Sequence, residues 1–380
     1  MKIGIVAGLA EGQKTGIGSY TLNLVKGLKE VDYQNEYFLL LRKEMKCAPV
    51  DQGHQIVLPL PMFICNMKGN FLLWQFFLLP LKLRRSREPV VTSPQYGPDM
   101  FSIFDVPGKK IISIHDVAPI LELKSWDRIS VALHKLLLPK VLKRVDRIIT
   151  VSHFSKGEIV RHLKVNPDRI NVIYQGIDEA FRVNSRQQVT SVVSKYKLPQ
   201  DFILYVGLLH RQKNIPALIK AYAQLKRAGT KHKLVVAGGK VFGGDNTLFS
   251  LVENLELQKD VIFTGYVPDE DLAALYNAAS VFAFPSLYEG FGLPPLEAMA
   301  CGTPVVTSNR ASLPEVVGDA ALTVDPYDID SLAEAINRLI TDNGLRQEMI
   351  QRGLERVKAF SCQEAAKATL KVYQEVLEHG

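Results

Sequence analysis

Two glutamates, Glu289 and Glu297, stand on either side of a segment that leads from an apolar strand into a helix. The first amides of a helix have no partner within it and attract anions, and we expect those of Phe291, Gly292 and Leu293 to do so. Carboxylates beside a bound phosphate are unfavourable unless each accepts hydrogen bonds from hydroxyl groups. The pattern therefore predicts a polyhydroxylated partner for the glutamates. The alternative is that Glu297 only caps or solvates its helix.

A glycine-containing segment near the start of the chain, residues 12–20, precedes a helix predicted at residues 19–30. Gly16 and Gly18 would let backbone amides approach an anion at the helix N-terminus. The segment is not a dinucleotide fingerprint, because Thr21 stands at the third glycine position, and no Gly-Lys-Ser/Thr of a Walker A loop follows. Taken alone, it fits a tight turn as well as a phosphate cradle.

The glutamates are separated by seven residues, which is the E-x7-E motif of the retaining, family 4 type glycosyltransferases with the GT-B fold. The chain resembles these enzymes over nearly its whole length, and most closely the bacterial and archaeal subgroup that builds surface polysaccharides, many of whose members are mannosyltransferases. The other matching segments are residues 16–18, 113–116, 150–155, 175–178, 205–207, 213–214, 263–267 and 313–316.

The resemblance implies that the N-terminal domain binds the acceptor and that the C-terminal domain binds a nucleotide-diphosphate sugar. Three catalytic residues are implied: Lys213 neutralises the diphosphate, Glu289 contacts hydroxyls of the donor sugar, and His115 lies near the reacting carbon. Glu297 holds the ribose. His115 and Asp116 are the implied acceptor-binding residues, and Asp116 supports His115 or the acceptor. The remaining donor-binding residues implied are Gly16, Gly18, Gly207, Arg211, Tyr266, Val267, Gly290, Phe291, Gly292 and Leu293. Leu208 and Gln212 occupy the positions where the family usually has an arginine.

The implied reaction breaks a bond between sugar and phosphate through an oxocarbenium-like transition state. Lys213 and the amides of residues 291–293 would stabilise the leaving diphosphate in place of a metal ion, so we expect no metal and no cofactor. The acidic segments at residues 269–271 and 328–330 are expected to complement helix dipoles. His115 is expected to orient the donor sugar, and no nucleophile for a double displacement is evident.

Short β-branched runs alternate with helical patterns along the chain, which predicts parallel strands joined by helices. The alternation restarts after a polar, aperiodic segment at about residues 176–200, which we interpret as a linker. The sequence therefore predicts an α/β fold with two doubly wound, Rossmann-like domains, and the resemblance implies that these face a central GT-B cleft. The acceptor domain would comprise residues 1–176, joined by a crossover helix at 361–380, and the donor domain residues 177–360.

The basic residues of this 380-residue chain are concentrated in its first half. Residues 1–180 hold 25 Lys and Arg against 17 Asp and Glu, whereas the rest is nearly neutral. This asymmetry predicts an anionic partner for the first domain, and we expect a glycan or lipid-linked acceptor. Nothing resembles a nucleic-acid recognition module, so we expect no nucleic acid. The four cysteines form no metal-ligand pattern and indicate reduced thiols.

No signal-peptide pattern precedes the first strand, which predicts a cytoplasmic protein. The most apolar stretch, residues 71–81, is well below the roughly 20 residues that span a bilayer. Basic residues follow it, so residues 71–87 could lie on an anionic surface at the inner face of the cell membrane, or could form a core-facing helix with a basic end. A second candidate for such peripheral contact is the segment carrying Lys135, Lys140, Lys143, Arg144 and Arg147.

These observations favour a metal-independent glycosyltransferase that transfers a hexose with retention, with GDP-mannose as the expected donor and surface polysaccharide or glycoconjugate synthesis as the setting. One alternative is a nucleotide-sugar epimerase of the same fold, which would consume donor without an acceptor. A second is a non-catalytic donor-binding subunit of a polysaccharide assembly complex. The mismatch to the dinucleotide fingerprint disfavours a dehydrogenase.

Overall fold

The computed structural model describes residues 2–10, 16–45, 50, 54–57, 90–93, 108–118, 120–121, 128–239 and 247–378. The chain divides into two compact units, Met1–Gly176 with Phe360–Gly380, and Ile177–Ala359. The apolar stretch at residues 71–81, the basic residues that follow it and most of the glycine segment before Gly16 lie outside the described residues. No helix of the described part of the chain is long and apolar enough to cross a membrane.

The first unit is built on a parallel sheet of seven strands in the order β3-β2-β1-β4-β5-β6-β7. The strands are β1 (Lys2–Val6), β2 (Glu36–Leu41), β3 (Gln55–Val57), β4 (Val90–Ser93), β5 (Lys109–Ile114), β6 (Arg147–Thr150) and β7 (Ile170–Val172). Strand β3 was not predicted, because three residues are too few to establish a periodic pattern.

In the described part of this unit, three helices precede its last strand: α1 (Gly16–Val31), α2 (Arg128–Arg144) and α3 (His153–Leu163). The Ser152 hydroxyl caps α3 by accepting a hydrogen bond from the amide of Ser155, at 3.0 Å. The predicted start of α1 was wrong. Gly16 and Gly18 lie in its first turn rather than in a loop before it. A glycine is tolerated there because the first-turn amides have no intrahelical partner to lose.

The second unit is built on a parallel sheet of six strands in the order β10-β9-β8-β11-β12-β13. The strands are β8 (Phe202–Val206), β9 (Lys233–Ala237), β10 (Val261–Gly265), β11 (Val281–Phe284), β12 (Val305–Ser308) and β13 (Leu322–Val324). Each unit is thus a doubly wound α/β sheet, which confirms the predicted fold class.

Nine helices of the second unit and the C-terminus complete the described chain. They are α4 (Arg186–Lys195), α5 (Ile215–Arg227), α6 (Thr247–Asn254), α7 (Asp269–Ala278), α8 (Leu293–Ala300), α9 (Leu313–Val317), α10 (Ile329–Thr341), α11 (Asn343–Arg356) and α12 (Cys362–Glu378). Helix α12 belongs to the first unit, where it packs against α1, β5 and β6.

The interpretation of residues 176–200 as an aperiodic linker is wrong, because this segment contains α4. Ser185 and Gln188 form a reciprocal capping box at the start of this helix, in which the Ser185 amide donates to Gln188 Oε1 at 3.1 Å. Lys195 at its end forms an ion pair with Asp271 of α7, with 2.6 Å between Nζ and Oδ2. Helix α4 therefore packs on the second unit, and its polar composition reflects an exposed outer surface.

Candidate functional site

Lys213 and Glu289 meet at the carboxyl ends of two adjacent strands of the second sheet. Lys213 follows β8 and Glu289 follows β11, the pair of strands at which the order of the sheet reverses. Ligands of doubly wound sheets bind at this switch point. The Lys213 Nζ lies 2.6 Å from Glu289 Oε1, and the two side chains are only 17% and 11% exposed. The ammonium also lies 5.2 Å from the ring centroid of Phe284.

The turn that carries Lys213 is joined to the segment that carries Glu289. Lys213 ends a short 3-10 helix, Arg211–Lys213, whose central residue Gln212 is buried. The Gln212 carbonyl accepts hydrogen bonds from the Leu287 amide at 2.8 Å and from Ser286 Oγ at 3.1 Å. Gln212 thus holds the turn that carries Lys213 against the segment that leads to Glu289. Sequence reasoning missed this role, because it considered Gln212 only as a replaced arginine.

The backbone between Glu289 and α8 is held by Ser312. Its hydroxyl lies 2.9 Å from the carbonyl oxygen of Glu289 and 2.7 Å from that of Phe291, and it donates to them. Gly292 has φ of +110°, and a Cβ there would lie 2.7 Å from Leu313 Cδ2. Only glycine suits this position.

The start of α8 offers fewer backbone amides to an anion than a typical helix N-terminus does. Helix α8 begins at Leu293, so Pro294 and Pro295 occupy its first turn. Proline has no amide hydrogen, so two of the usual first-turn donors do not exist. The amides of Gly292 and Leu293 stand immediately before this proline pair.

Glu297 lies in the interior of α8 and is not its cap, so the capping alternative is wrong. Its Oε2 accepts a hydrogen bond from the Tyr276 hydroxyl at 2.9 Å. Burial raises the pKa of the Glu297 carboxyl to about 7, against the opposing effect of the Tyr276 hydrogen bond and with smaller contributions from the Asp269 and Asp178 carboxylates. The carboxyl group therefore changes charge near neutral pH.

Other expected donor-binding residues surround the same edge of the sheet. Gly207 follows β8 with φ of +150°, and its amide donates to the Ala237 carbonyl at 2.9 Å. Val267 is buried, whereas Tyr266 beside it is 46% exposed. The Arg211 side chain is exposed on the turn that carries Lys213. The structure therefore shows no contact of Arg211 with the Lys213–Glu289 pair.

His115 lies at the carboxyl end of β5 in the first unit and is buried. Its Nδ1 lies 2.9 Å from Gln175 Nε2, and its ring packs edge-on against Tyr20 with centroids 4.5 Å apart. With the amide oriented as assigned here, Gln175 donates to Nδ1, which leaves the proton of a neutral ring on Nε2. The sequence placed Gln175 in a matching segment but assigned it no function.

The remaining predicted residues of the first unit lie in the turn after β5 and in the first turn of α1. Asp116 Oδ1 accepts a hydrogen bond from the Ala118 amide at 3.0 Å, which shapes the turn after β5. Gly16 is exposed in the first turn of α1 and Gly18 is buried there.

The two acidic segments act as the helix-dipole prediction expected. Asp328 caps α10 by accepting from the Ser331 amide at 3.0 Å, and the other segment supplies three carboxylates to the first turn of α7. Within the described ranges, no three His, Cys, Asp or Glu residues are grouped so that they could hold a metal ion.

Both halves of the chain match models of known protein families. Residues 14–181 match the model described as Glycosyltransferase Family 4, and residues 189–356 match the model described as Glycosyl transferases group 1. Together these matches leave only short segments of the chain unassigned.

Among proteins of similar sequence is the O-antigen chain mannosyltransferase B of Escherichia coli, 40% identical over 239 residues that make up 62% of either chain. The serotype-specific mannosyltransferase WbdA of Escherichia coli is 33% identical over 280 residues, or 72% of this chain and 34% of that protein. The chain therefore matches less than two thirds of the length of these relatives.

Solved structures share the fold at lower identity. Sucrose-phosphate synthase from Thermosynechococcus elongatus superposes with a TM-score of 0.83 at 22% identity over 100% of both chains. Alr3699/HepE of Anabaena, solved in complex with UDP-glucose, superposes with a TM-score of 0.80 at 17% identity, covering 99% of this chain and 100% of that one. The fold of the chain is that of the GT-B glycosyltransferases.

Proposed function

Because the chain belongs to the glycosyltransferases that combine a family 4 domain with a group 1 domain, we propose that it transfers a hexose from a nucleotide-diphosphate sugar. The acceptor is a glycan or a lipid-linked saccharide, in the synthesis of a surface polysaccharide or glycoconjugate. Mannose from GDP-mannose is the proposed donor group, which is supported by the similarity to O-antigen mannosyltransferases.

The observation that supports this proposal most strongly is the buried Lys213–Glu289 pair at the switch point of the second sheet. When the bond between the anomeric carbon and the diphosphate oxygen breaks, its electron pair moves to the diphosphate. The Lys213 ammonium stabilises this added charge. A diphosphate that pairs with Lys213 releases the Glu289 carboxylate to accept hydrogen bonds from sugar hydroxyls.

Retention of configuration follows if the acceptor hydroxyl attacks on the face that the diphosphate leaves, and passes its proton to the departing phosphate oxygen. The Nε2–H of His115 is the proposed donor of a hydrogen bond to the sugar, and Gln175 keeps that proton in place. This chemistry requires no metal ion, because Lys213 and the backbone amides before α8 supply the positive charge.

Product analysis tests the proposal. The protein is incubated with GDP-mannose or UDP-glucose, with and without a panel of mannosylated and lipid-linked acceptors, in the presence and absence of EDTA. We expect a new glycosidic bond only when an acceptor is present, α-configured from an α-linked donor, and unaffected by EDTA. Conversion of the donor to its epimer without acceptor would indicate the epimerase alternative. Donor binding without turnover on any acceptor would indicate a non-catalytic subunit.

We also propose that the first unit contacts an anionic membrane surface at the inner face of the cell membrane. The excess of basic residues in residues 1–180 supports this location, because anionic headgroups attract each Lys or Arg near them by about 1 kcal/mol. Sedimentation with phosphatidylglycerol vesicles at low and high salt tests the contact. We expect binding that salt weakens, and no binding at low salt would contradict the location.

A further inference from the structure

A cavity of about 430 Å³ lies between α2 and α3 in the first unit. Its walls are apolar side chains that continue the hydrophobic core of the unit, and they include Leu138, Leu142, Leu163 and Val165. The volume is that of a small-molecule site, for which about 300 to 1,000 Å³ is typical. The cavity therefore offers room for a slender apolar group.

Basic side chains line the same cavity. Lys135, Lys143 and Lys164 are exposed beside the apolar walls, and the described residues that line the cavity include no Asp or Glu. Among the described residues, neither Lys143 nor Lys164 forms an ion pair with a carboxylate. The neighbouring Glu158 is engaged by His162, with 3.5 Å between Oε2 and Nε2. The cavity thus combines an apolar interior with two lysines, Lys143 and Lys164, that pair with no carboxylate of the described chain.

Backbone contacts fix the ends of the two helices beside the cavity. The Arg169 guanidinium donates to the Leu142 carbonyl at 2.9 Å and also to the Val145 carbonyl, so it secures the end of α2. Lys164 ends α3 in a left-handed conformation with φ of 54°, which turns the chain away from the helix axis. Lys143 and Lys164 are therefore attached to helix ends rather than to a long loop.

We propose that this cavity binds an anionic phospholipid of the membrane, with one acyl chain against the apolar walls and the phosphate between Lys143 and Lys164. The helix ends and the turn that carry these lysines lie at the amino edge of the parallel strands. His115 lies at the carboxyl edge of the same sheet. A bilayer lipid fits this position better than the lipid part of an acceptor, whose sugar must reach the carboxyl edge.

Vesicle binding by paired variants tests the charge component. The double variant Lys143→Gln/Lys164→Gln removes two charges at the cavity, and Lys26→Gln/Lys29→Gln removes two exposed charges of the same unit that do not line it. On phosphatidylcholine vesicles containing phosphatidylglycerol, we expect the first variant to bind at least about tenfold more weakly and the second less than about threefold. Equal losses would overturn the proposal in favour of diffuse attraction.

A soluble lipid tests the apolar component. Dihexanoylphosphatidylglycerol below its micellar concentration should raise the unfolding temperature of the wild-type protein and shift the amide resonances of residues 162–166, whereas glycerol phosphate should do neither. An equal effect of glycerol phosphate would contradict a lipid site. Displacement of the short lipid by polyglutamate but not by phosphatidylglycerol vesicles would assign the cavity to an acidic protein. Because both experiments measure binding and not transfer, their failure would leave the proposed glycosyltransferase reaction unaffected.

Discussion

At the scale of single residues, the ionisable groups of the candidate site have partners within the protein, and a ligand would replace these partners. Lys213 is held by Glu289, and Glu297 is held by the Tyr276 hydroxyl. Breaking a buried pair by removing one partner is costly because the other charge is left uncompensated. A diphosphate and sugar hydroxyls can replace these partners without leaving either group unpaired.

The raised pKa of Glu297 predicts two opposite effects of pH. Since the pKa of about 7 exceeds that of an exposed glutamate, the free energy of unfolding falls as pH rises from about 4.5 to above 7. Glu297→Gln should therefore raise the free energy of unfolding by roughly 1 to 3 kcal/mol at about pH 8, with no gain at about pH 4.5.

Donor binding should strengthen as pH rises through about 7 in the wild-type protein, because the ionised carboxylate is the better acceptor for ribose hydroxyls. Calorimetric titrations across this range should show that the variant lacks this dependence. A pH dependence of donor affinity that is identical in the variant would exclude Glu297 from donor binding.

Gln175 should act as a positioning residue for His115. Gln175→Leu removes the hydrogen bond to Nδ1 and should reduce turnover about fivefold with little change in KM, the cost of roughly one hydrogen bond. Gln175→Glu should favour the neutral tautomer with the proton on Nδ1, so that Nε2 keeps its proton only in the imidazolium form.

The turnover of Gln175→Glu should therefore fall at high pH, where the imidazolium form is lost. The turnover of the wild-type protein should not fall over the same range. The ¹⁵N chemical shifts of His115 report the tautomer directly. A variant whose ring stays in the wild-type tautomer and whose pH profile is unchanged would show that Gln175 has only a packing role.

At the scale of elements, apolar side chains bury the strands in the core of each unit. The short segments that follow the strands position the residues of the site. Lys213 ends a 3-10 turn after β8, and Glu289 precedes α8. Ser312 at the start of α9 holds the backbone around Glu289. The precision of the site therefore depends on turns and helix starts rather than on the sheet itself.

Two glycines at helix starts should respond to substitution with opposite signs. Gly292→Ala should destabilise the protein by about 1 to 2 kcal/mol, because φ is +110° and the new Cβ would contact Leu313. Gly16→Ala should stabilise it by up to about 1 kcal/mol, since no described atom lies within 4 Å of the Cβ position. Urea denaturation measures both. A destabilisation by Gly16→Ala of the size expected for Gly292→Ala would contradict the placement of Gly16 in α1.

The sequence predicted the long, strongly periodic elements and the residues at their ends. The sequence predicts a strand at residues 202–206 and helices at residues 269–278 and 329–341, and these are the bounds of β8, α7 and α10, because apolar spacing and terminal residues agree there. Short elements such as β3 and α9 were missed, since a few residues cannot show a period. The helix α4 was missed because its exposed face made the segment appear irregular.

The candidate site was predicted only in part for a related reason. Motif spacing identified Lys213, Glu289, Glu297 and His115, but not what holds them. The contacts of Gln175 with His115 and of Gln212 with the segment before Glu289 join residues about 60 and 74 positions apart. No local pattern carries such information.

At the scale of the whole molecule, the chain leaves the first unit at Gly176 and returns to it at Phe360. The returning helix α12 buries Val372, Tyr373 and Val376. The two backbones are in close contact, since a Cβ on Gly27 of α1 would lie 2.7 Å from the Cys362 carbonyl oxygen. Helix α12 is therefore an integral part of the first core.

Removal of residues 360–380 should destabilise the first unit selectively. Each buried large side chain lost from a core costs roughly 2 to 5 kcal/mol. Hydrogen exchange should become faster in β1 and β5, while exchange in β8 and β11 should change little. Uniform acceleration in both sheets would show that the stability of the second unit also depends on α12.

The central claim is that Lys213 neutralises the diphosphate of a nucleotide-sugar donor, and calorimetric titration of GDP-mannose and GDP tests it most directly. The comparison uses the wild-type protein, Lys213→Met, and Lys220→Met as a control for an exposed lysine of the same unit. We predict that Lys213→Met weakens the binding of both ligands by about 2 kcal/mol or more, or about thirtyfold, while Lys220→Met binds as the wild-type protein does. Unchanged affinity of Lys213→Met for both nucleotides, in a folded protein, would contradict the account.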